Sequence, residues 1–259
     1  MPITPDPLQS LAHLLVHAHQ NQQQLDPKQL PVITCRSSAY QVQEAMLAIK
    51  QEPIGAWKVG VCESEKDVWG SLLPQSALSH SGETRHFHMG IPLGLEVELA
   101  FRLSDAALNP GQTLSPEDFL IDGIQEMALS VEVVSTRLAG WPDVPEFLKL
   151  ADWQNHGALF IGNPVPYRQD FPFLTPQVSL LVDGNEYSKS PAFNPAGDPR
   201  SLLQPFLRQC HARGQPVTAE HWITTGSYSG IHFLDHSASI KAMLGPLEAL
   251  SMALVVRSL

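Results

Sequence analysis

Apolar residues recur at helical spacing over the first part of the chain. The first group is Leu8, Leu11, Leu14 and Leu15. Three of these four residues follow an i, i+3, i+7 spacing, which predicts an amphipathic helix near the start of the chain. A second helix is predicted from about residue 39 to residue 50, with Ser38 as its N-cap, because a serine hydroxyl can accept a hydrogen bond from the first turn.

From Ile54 onward the pattern changes to short apolar runs separated by Pro, Gly, Asn and Asp. The predicted strands cover residues 55–61, 93–103, 128–138, 159–161, 178–182, 222–225, 239–244 and 247–256. Short strands with turn residues between them are typical of a β-rich core. Asp183-Gly184 predicts a tight hairpin turn, because both turn positions require a positive φ.

Two helices are predicted within the β-rich region. Ser115 and Pro116, followed by two acidic residues, have the order of an N-cap and a first helical turn. The other helix covers residues 200–213 and ends at Gly214, the residue type that favours the C′ position.

The most informative polar residues are three glutamates inside apolar strands. Glu96 and Glu98 project from one face of the strand at 93–103, because side chains alternate with a period of two. Glu132 lies alone in a second apolar run, and carboxylates are rarely buried without a partner. Three carboxylates with no Lys or Arg on their face predict a bound cation. Mg²⁺ or Mn²⁺ suits oxygen ligands, whereas Zn²⁺ usually takes His or Cys. The alternative is that Glu96 and Glu98 lie on the solvated face of an antiparallel strand.

Lys58 has two interpretations, and Asp152 has a simple structural one. Lys58 lies in a strand bounded by glycines, so it either extends to solvent from the strand end or is buried with a lowered pKa and transfers protons. Asp152 follows a short apolar stretch, and an ordinary helix cap or turn is the simpler interpretation of the residue taken alone.

Other candidate sites are weaker. His80, His86 and His88 cluster in a polar segment, where a solvated loop is favoured over a zinc site. The segment 226–230 has the glycine spacing of a nucleophile elbow, but Tyr228 stands at the position that requires serine. A turn that offers backbone N–H groups to an anion is the better interpretation. The sequence has no nucleotide-binding glycine motif.

Composition limits the classes of partner. The chain has 259 residues, of which 43% are hydrophobic and 16% charged, as in an ordinary globular enzyme. A net charge of −10 argues against nucleic acid or an anionic membrane surface as a partner. Three widely spaced cysteines indicate reduced thiols. The chain lacks a charged signal-peptide start and a membrane-length apolar run, so a cytoplasmic protein is expected.

Taken in order, several motifs resemble the fumarylacetoacetate hydrolase superfamily, in particular its 2-oxopent-4-enoate hydratase and 4-oxalocrotonate decarboxylase group. The matching segments are residues 39–43, 57–60, 95–101, 131–137, 150–152 and 223–226. The Glu-x-Glu pair followed by a third glutamate is the most specific of these motifs. The resemblance implies an α+β fold with a mixed β-barrel or roll and a small helical N-terminal part. The expected division is a helical part at residues 1–75, leading into the first core strand, and a β-rich, metal-binding catalytic domain at residues 76–259.

The resemblance also implies the roles of individual residues. The metal ligands would be Glu96, Glu98 and Glu132, with Lys58 as the catalytic lysine. The substrate-binding residues would be Gly70, Ser71, Leu72, Asp152, Thr225 and Gly226. One departure lies at Val68-Trp69-Gly70, where the hydratases carry an acidic residue. Glu63, Glu65 and Asp67 are the nearest acidic residues, and either Glu63 or Asp67 could replace it.

The expected activity is hydration of a 2-hydroxy-2,4-dienoate to a 4-hydroxy-2-oxo acid. Such an acid chelates a divalent ion through its carboxylate and C2 oxygen, and the ion stabilises the dienolate that proton transfer creates. Decarboxylation of a 4-oxalocrotonate-type diacid would use the same site, with acylpyruvate hydrolysis third. A further alternative is a non-catalytic accessory subunit. A small anionic acid from aromatic compound catabolism is the expected partner. The protein is expected to form a homo-oligomer or a complex with a related decarboxylase or hydratase.

Overall fold

Helices cover the start of the chain and strands dominate the rest. This computed structural model describes residues 6–62, 65–109, 111, 114–187 and 192–258. The helices are α1 (Pro7–Asn21), α2 (Arg36–Lys50), α3 (Asp105–Leu108), α4 (Pro116–Asp122), α5 (Glu146–Ala151) and α6 (Leu203–Ala212). The strands are β1 (Ile54–Cys62), β2 (Asp67–Pro74), β3 (Leu78–His80), β4 (Thr84–His88), β5 (Leu93–Leu103), β6 (Ile124–Val134), β7 (His156–Ile161), β8 (Val165–Pro166), β9 (Val178–Val182), β10 (Asn185–Glu186), β11 (Trp222–Ser227), β12 (His232–Leu234), β13 (Ala238–Leu244) and β14 (Leu250–Arg257).

The two N-terminal helices form where the apolar pattern predicts them. The Asp6 side chain caps α1 by accepting a hydrogen bond of 3.1 Å from Leu8 N. Helix α2 begins at Arg36, three residues earlier than predicted, and Cys35 is its N-cap. Ser38 as the N-cap is therefore wrong: its hydroxyl lies inside the first turn, 3.2 Å from the Cys35 sulfur.

The main sheet mixes parallel and antiparallel pairs. Among the described residues its strand order is β2-β1-β11-β5-β6-β7-β3, with β12 also paired to β5 and β8 to β6. A second sheet has the order β10-β9-β13-β14-β4. The predicted α+β class with a mixed sheet is confirmed. The division of the chain at residue 75 stays a prediction, and β1 and β2, which precede it, pair within the main sheet.

The long antiparallel pair β5–β6 forms the centre of the main sheet. Its register runs from Gly94 opposite Val134 to Leu103 opposite Ile124. One face of β5 carries four side chains that belong to the hydrophobic core, namely Leu95, Val97, Leu99 and Phe101. Since strand side chains alternate, the glutamates of β5 project from the opposite, inner face of the sheet.

Most predicted strands are present, with shifted ends. The hairpin turn at Asp183 and Gly184 has φ values of 49° and 82°, as predicted. The strand expected at 128–138 ends at Val134, because the chain then turns so that Arg137 can bind inside the protein. The helix expected at 200–213 begins with a 3₁₀ turn, and α6 itself starts at Leu203.

The histidine-rich segment is not a loop. His80 ends β3, while His86 and His88 lie in β4, which pairs in parallel with β14. The loop prediction was wrong because this pairing joins segments far apart in the chain, and local polarity does not reveal it. Within the described ranges, no helix is long and apolar enough to cross a membrane.

Candidate metal centre

The register of β5 and β6 brings the three glutamates together. Glu96 lies directly opposite Glu132, and Glu98 lies opposite Ser130. Directly opposed residues project from the same face, so the three carboxylates converge. One carboxylate oxygen from each lies within 4.8 Å of the other two. In an octahedral Mg²⁺ site with bonds of about 2.1 Å, ligand atoms are at most about 4.2 Å apart. Small side-chain movements would therefore fit the cluster to a divalent ion.

Burial changes the ionisation of two of these carboxyls. Glu98 is only 1% exposed. Burial, with added repulsion from Glu132 and Glu96, raises the pKa of Glu98 to about 8. Burial also raises the pKa of Glu96 to about 7, although the charge of Lys58 opposes the shift. Without a cation Glu98 is largely protonated and Glu96 about half protonated at neutral pH, and a dication would replace these protons as the compensating charge.

Lys58 lies inside the site and contacts Glu132. Its Nζ donates hydrogen bonds to Glu132 Oε1 at 2.8 Å and to the Gln154 carbonyl oxygen at 3.1 Å. The solvent-directed alternative for this lysine is therefore wrong, since 15% of its side chain is exposed. Burial would lower the pKa of Lys58, but the charges of Glu132, Glu96 and Glu98 outweigh it and raise the pKa above its ordinary value.

Two sequence-based expectations about these charges need correction. A lowered pKa for Lys58 is wrong for this arrangement, because the surrounding carboxylates favour the ammonium form. The expectation that no cation accompanies the glutamates is also wrong, since Lys58 reaches Glu132 from another strand. Its catalytic role stays a prediction.

His156 is a site residue that the sequence did not reveal. Its Nδ1 lies 3.0 Å from Glu132 Oε1, the oxygen that Lys58 also contacts. Glu132 Oε2 is buried and has no hydrogen-bond partner among the described residues. Burial would raise the pKa of Glu132, but Lys58 and His156 outweigh it and lower the pKa. An ionised, buried oxygen without a partner is what a metal ligand requires, so Glu132 fits a divalent ion.

Strand β11 supports Glu98 through a bulge. Thr224 Oγ1 donates a hydrogen bond to Glu98 Oε2, and Ser130 Oγ lies 3.3 Å from the same threonine oxygen. The β5–β11 register then shifts between Thr224 and Ser227, so Thr225 and Gly226 form the bulge. Gly226 has a φ of 85°, which glycine adopts without strain. Bulges of this kind are common beside active sites.

Thr225 and Gly226, the residues of the bulge, are hydrogen-bonded to other residues of the chain. Thr225 Oγ1 donates to the Leu99 carbonyl at 2.8 Å, so its hydroxyl proton is not free for a substrate. Asn194, another residue that sequence reasoning missed, donates to the carbonyls of Thr225 and Gly226 at 2.9 Å each. A contact of Thr225 or Gly226 with substrate stays a prediction.

The turn at residues 227–230 hydrogen-bonds to the backbone of β5. Tyr228 N donates to the Val97 carbonyl at 2.8 Å, and Ser229 Oγ accepts from Val97 N at 3.0 Å. Val97 lies between the two glutamates of β5, so the turn fixes the strand that carries them. The Tyr228 N–H is therefore not available to an anion, as the predicted anion site would require.

Asp152 is held by Arg137 in the interior. Arg137 donates from its backbone N to Asp152 Oδ2 at 3.0 Å and from Nε to Oδ1 at 2.7 Å. Arg137 also donates to the backbone carbonyls of Ser135, Asp152 and His156. Asp152 is fully buried, and this geometry gives it a structural role at the start of a turn. Its assignment as a substrate-binding residue stays a prediction.

The turn after Asp152 is unusual in its backbone. Trp153, Gln154 and Asn155 have φ values of 47°, 53° and 61°, in the left-handed region. Consecutive residues other than glycine rarely adopt this conformation, and strain of this kind clusters at functional sites. The turn directs the Gln154 carbonyl to Lys58 and ends at His156. Arg137 binds Asp152 before the turn and the His156 carbonyl after it, so this arginine holds the turn in place.

Strand β2 lies beside Lys58. Ser71 is opposite Lys58 in the β1–β2 register, and its hydroxyl accepts a hydrogen bond of 2.9 Å from Gln43 Nε2. Gln43 also accepts from Leu72 N at 3.3 Å. A Cβ at Gly70 would lie 2.5 Å from the Phe206 ring, so the glycine permits close packing. The predicted substrate contacts of Gly70, Ser71 and Leu72 stay predictions.

The acidic residues near Trp69 are directed elsewhere. Asp67 Oδ2 accepts from Arg36 at 2.5 Å, and Glu65 Oε2 accepts from Trp69 Nε1 at 3.1 Å. Asp67 is therefore not the replacement acid beside Lys58. Glu63, the other candidate, lies outside the described residues.

This chain resembles known proteins in its fold rather than in its sequence. No family model matches the sequence, and no curated protein matches it. Solved structures do match. The 4-oxalocrotonate decarboxylase from Pseudomonas putida G7, complexed with magnesium and adipate, aligns over 98% of this chain and 99% of its own, with a TM-score of 0.80 and 17% identity. The chain has the fold of the fumarylacetoacetate hydrolase superfamily.

Two further structures with this superfamily fold extend the comparison. A fumarylacetoacetate hydrolase family protein from Yersinia pestis CO92 aligns over 79% of this chain and 94% of its own, with a TM-score of 0.55 and 15% identity. The fumarylpyruvate hydrolase from Pseudomonas aeruginosa, in complex with Mn²⁺ and pyruvate, aligns over 80% and 91%, with a TM-score of 0.53 and 16% identity. These likenesses establish the fold, and the expected superfamily architecture is confirmed.

Proposed function

We propose that this chain is a divalent-metal-dependent lyase that acts on small 2-oxo or 2-hydroxydienoic acids. The observation that carries the proposal is the convergence of Glu96, Glu98 and Glu132 on one inner face, with Lys58 Nζ 2.8 Å from Glu132. Carboxylates for a hard cation beside an amine are the groups needed to bind such an acid and to move a proton on it.

Glu96, Glu98 and Glu132 would hold Mg²⁺ or Mn²⁺, ions that prefer oxygen ligands. Three single-oxygen ligands leave enough of an octahedron for an acid that binds through two oxygens. The acid would chelate the bound ion through its carboxylate and C2 oxygen, and the ion would supply positive charge that stabilises the negative charge developed on proton transfer. A chain with a net charge of −10 needs such a local positive centre to attract an anionic substrate.

Lys58 is the residue proposed to move the proton. Its ammonium lies at the ligand cluster and is held by Glu132 and the Gln154 carbonyl, so its position is fixed before substrate arrives. As an ammonium, Lys58 can donate a proton. A bound dication would lower the pKa of Lys58 and so favour the amine form, which can accept a proton. The substrate would then lie over Gly70, Ser71 and Leu72 on one side and the Thr225–Gly226 bulge on the other, with Asp152 supporting the turn that contacts Lys58.

The proposed reaction is hydration of a 2-hydroxy-2,4-dienoate to a 4-hydroxy-2-oxo acid, in which water adds at C4. Decarboxylation of a 2-oxo diacid is the second candidate, because it needs the same proton transfer beside a chelated 2-oxo acid. One observation favours it over acylpyruvate hydrolysis. The decarboxylase from P. putida G7 aligns over 98% of this chain, whereas the hydrolase from P. aeruginosa aligns over 80% of it.

Turnover of an acid panel tests the proposal. The panel contains 2-hydroxydienoates and 2-oxo diacids, each assayed with Mg²⁺, with Mn²⁺ and with EDTA. We expect turnover only with metal, and the product separates hydration from loss of CO₂. Oxalate and pyruvate should compete with the substrate and bind only in the presence of metal. Binding of oxalate that is equal in EDTA would contradict the proposal. Metal-dependent binding without turnover of any acid would favour a non-catalytic subunit.

A further inference from the structure

We propose that His156 is a positioning residue for metal binding, which fixes one oxygen of Glu132 so that the other faces the ion. The inference rests on the proposed metal site and extends it to a residue outside the ligand set. It follows from the contact between His156 Nδ1 and Glu132 Oε1 at 3.0 Å, and from Glu132 Oε2, which is buried without a partner.

The hydrogen-bond donors decide the tautomer of His156. An ionised carboxylate only accepts hydrogen bonds, and Glu132 Oε1 already accepts one from Lys58 at 2.8 Å. Nδ1 of His156 must therefore carry a proton to bond the same oxygen. A neutral ring then has its lone pair on Nε2. With two donors on Oε1, rotation of the carboxylate would break both bonds, so its orientation is fixed and Oε2 is the oxygen left without a partner for a metal.

The backbone holds the ring in this position. His156 is 1% exposed, and its carbonyl accepts from Arg137 Nη1 at 2.6 Å. The β6–β7 register shifts at this point, so His156 is opposite Val134 although Ala158 is opposite Val133. The extra residue is Gly157, where a Cβ would lie 2.7 Å from the Ser135 Cβ. The bulge turns the His156 ring to the face that carries Glu132.

A histidine at position 156 is unfavourable for folding if the ring has no further role. Its Nε2 is buried and has no hydrogen-bond partner among the described residues. An unsatisfied buried polar atom lowers the stability of the folded state, and an apolar side chain at this position would avoid that loss. The contact with Glu132 explains why a histidine is present despite this loss. In known metal sites, groups that hydrogen-bond to metal ligands orient those ligands.

Two amide variants separate positioning from packing. In His156→Asn the amide nitrogen can occupy the place of Nδ1, whereas in His156→Gln it extends to the place of Nε2. We expect His156→Asn to bind Mn²⁺ close to wild type in isothermal titration calorimetry. We expect His156→Gln to bind about 10–100-fold more weakly, the range for losing a residue that orients a metal ligand. Equal Mn²⁺ affinity in wild type and both variants would overturn the inference, and so would equal weakening in both.

The wild-type protein gives an independent test that needs no variant. Nitrogen NMR of protein labelled at histidine should find His156 neutral, protonated at Nδ1 and unprotonated at Nε2. A proton on Nε2 with a lone pair on Nδ1 would overturn the inference whether or not either variant folds. Failure of the proposed function is a different result: wild-type protein would then bind no Mn²⁺ at all.

Discussion

Lys58 and Glu132 are joined by a 2.8 Å hydrogen bond although two strands, β11 and β5, separate their own strands in the sheet. In a flat sheet, three strand spacings would hold the two backbones about 14 Å apart. The main sheet therefore curls, and both side chains point into its concave face. This curl brings a cation from β1 to the carboxylates of β5 and β6, and it makes a proton-transfer group part of the candidate metal centre.

Replacing Lys58 tests its role in proton transfer. Lys58→Met should still bind Mn²⁺, because His156 continues to hold Glu132 Oε1 and a positive charge beside the ion is removed. It should lower kcat by roughly 10²–10⁴-fold, the usual range for losing a general acid or base. The metal-free variant should also melt at a lower temperature, because buried Glu132 loses its ion pair. Steady-state kinetics and calorimetry measure the two effects. Lys241→Met, at an exposed position of β13, is the control and should behave as wild type. Near-normal kcat in Lys58→Met would remove Lys58 from the mechanism.

The raised pKa values of Glu96 and Glu98 predict an unusual pH dependence for the metal-free protein. Burial raises the pKa of Glu96 to about 7 and that of Glu98 to about 8, whereas a glutamate in an unfolded chain has a pKa of about 4.3. The folded state therefore binds more protons between these limits, so metal-free stability should fall as pH rises from about 4.3 to about 8. Glu98→Gln should weaken this decline and leave the metal-free protein at least as stable at pH 8. Thermal melts in EDTA across this range measure it. An unchanged decline in Glu98→Gln would show that this carboxyl is not the cause.

The buried Arg137–Asp152 pair predicts a large loss of stability when it is broken. Asp152→Asn should cost about 3–5 kcal/mol, because it leaves a buried guanidinium without its counter-charge. Chemical denaturation in EDTA measures this cost. Asp170→Asn, which breaks the exposed pair with Arg168, is the matched control and should change stability little. A small effect of Asp152→Asn would contradict the structural role given to Asp152.

The same pair predicts the acid side of the stability curve. Burial would raise the pKa of Asp152, but Arg137, together with the neighbouring His19, outweighs it and lowers the pKa below its ordinary value. A lowered folded pKa contributes stability above the unfolded value of about 3.9, and this contribution is lost as pH falls through the folded value. Acid unfolding of Asp152→Asn should therefore be less steep below about pH 4 than in wild type. An identical slope would assign acid unfolding to other titrating groups, such as His19, whose pKa is lowered by burial to about 4.

The ligand triad was predictable from sequence because it depends on local pattern. Glu96 and Glu98 share a face by strand periodicity, and Glu132 is conspicuous among β-branched residues. Their convergence needed only that the two strands be neighbours in a suitable register. The strand limits at 93–103 were predictable for the same reason.

The surrounding contacts were not predictable, because they depend on distant pairings. Lys58 reaches Glu132 only because β1 pairs in parallel with β11 and the sheet curls. His156 faces Glu132 because of a bulge at Gly157, and a single glycine does not reveal which strand lies opposite the bulge. Arg137 was assigned to the end of a strand, and its interior role depends on the turn that starts at Asp152. Helix and strand patterns do not encode these relationships between segments.

Calorimetric titration of Mn²⁺ tests the central claim most directly. Wild-type protein should bind one Mn²⁺ per chain, and Glu96→Gln, Glu98→Gln and Glu132→Gln should each lose most of that affinity. Glu126→Gln is the matched control: Glu126 lies in the same strand as Glu132 but pairs with Arg102, outside the cluster. We predict that Glu126→Gln binds Mn²⁺ as wild type does. Unchanged Mn²⁺ affinity in Glu98→Gln, or no binding by the wild-type protein, would contradict the assignment of this site as a metal centre.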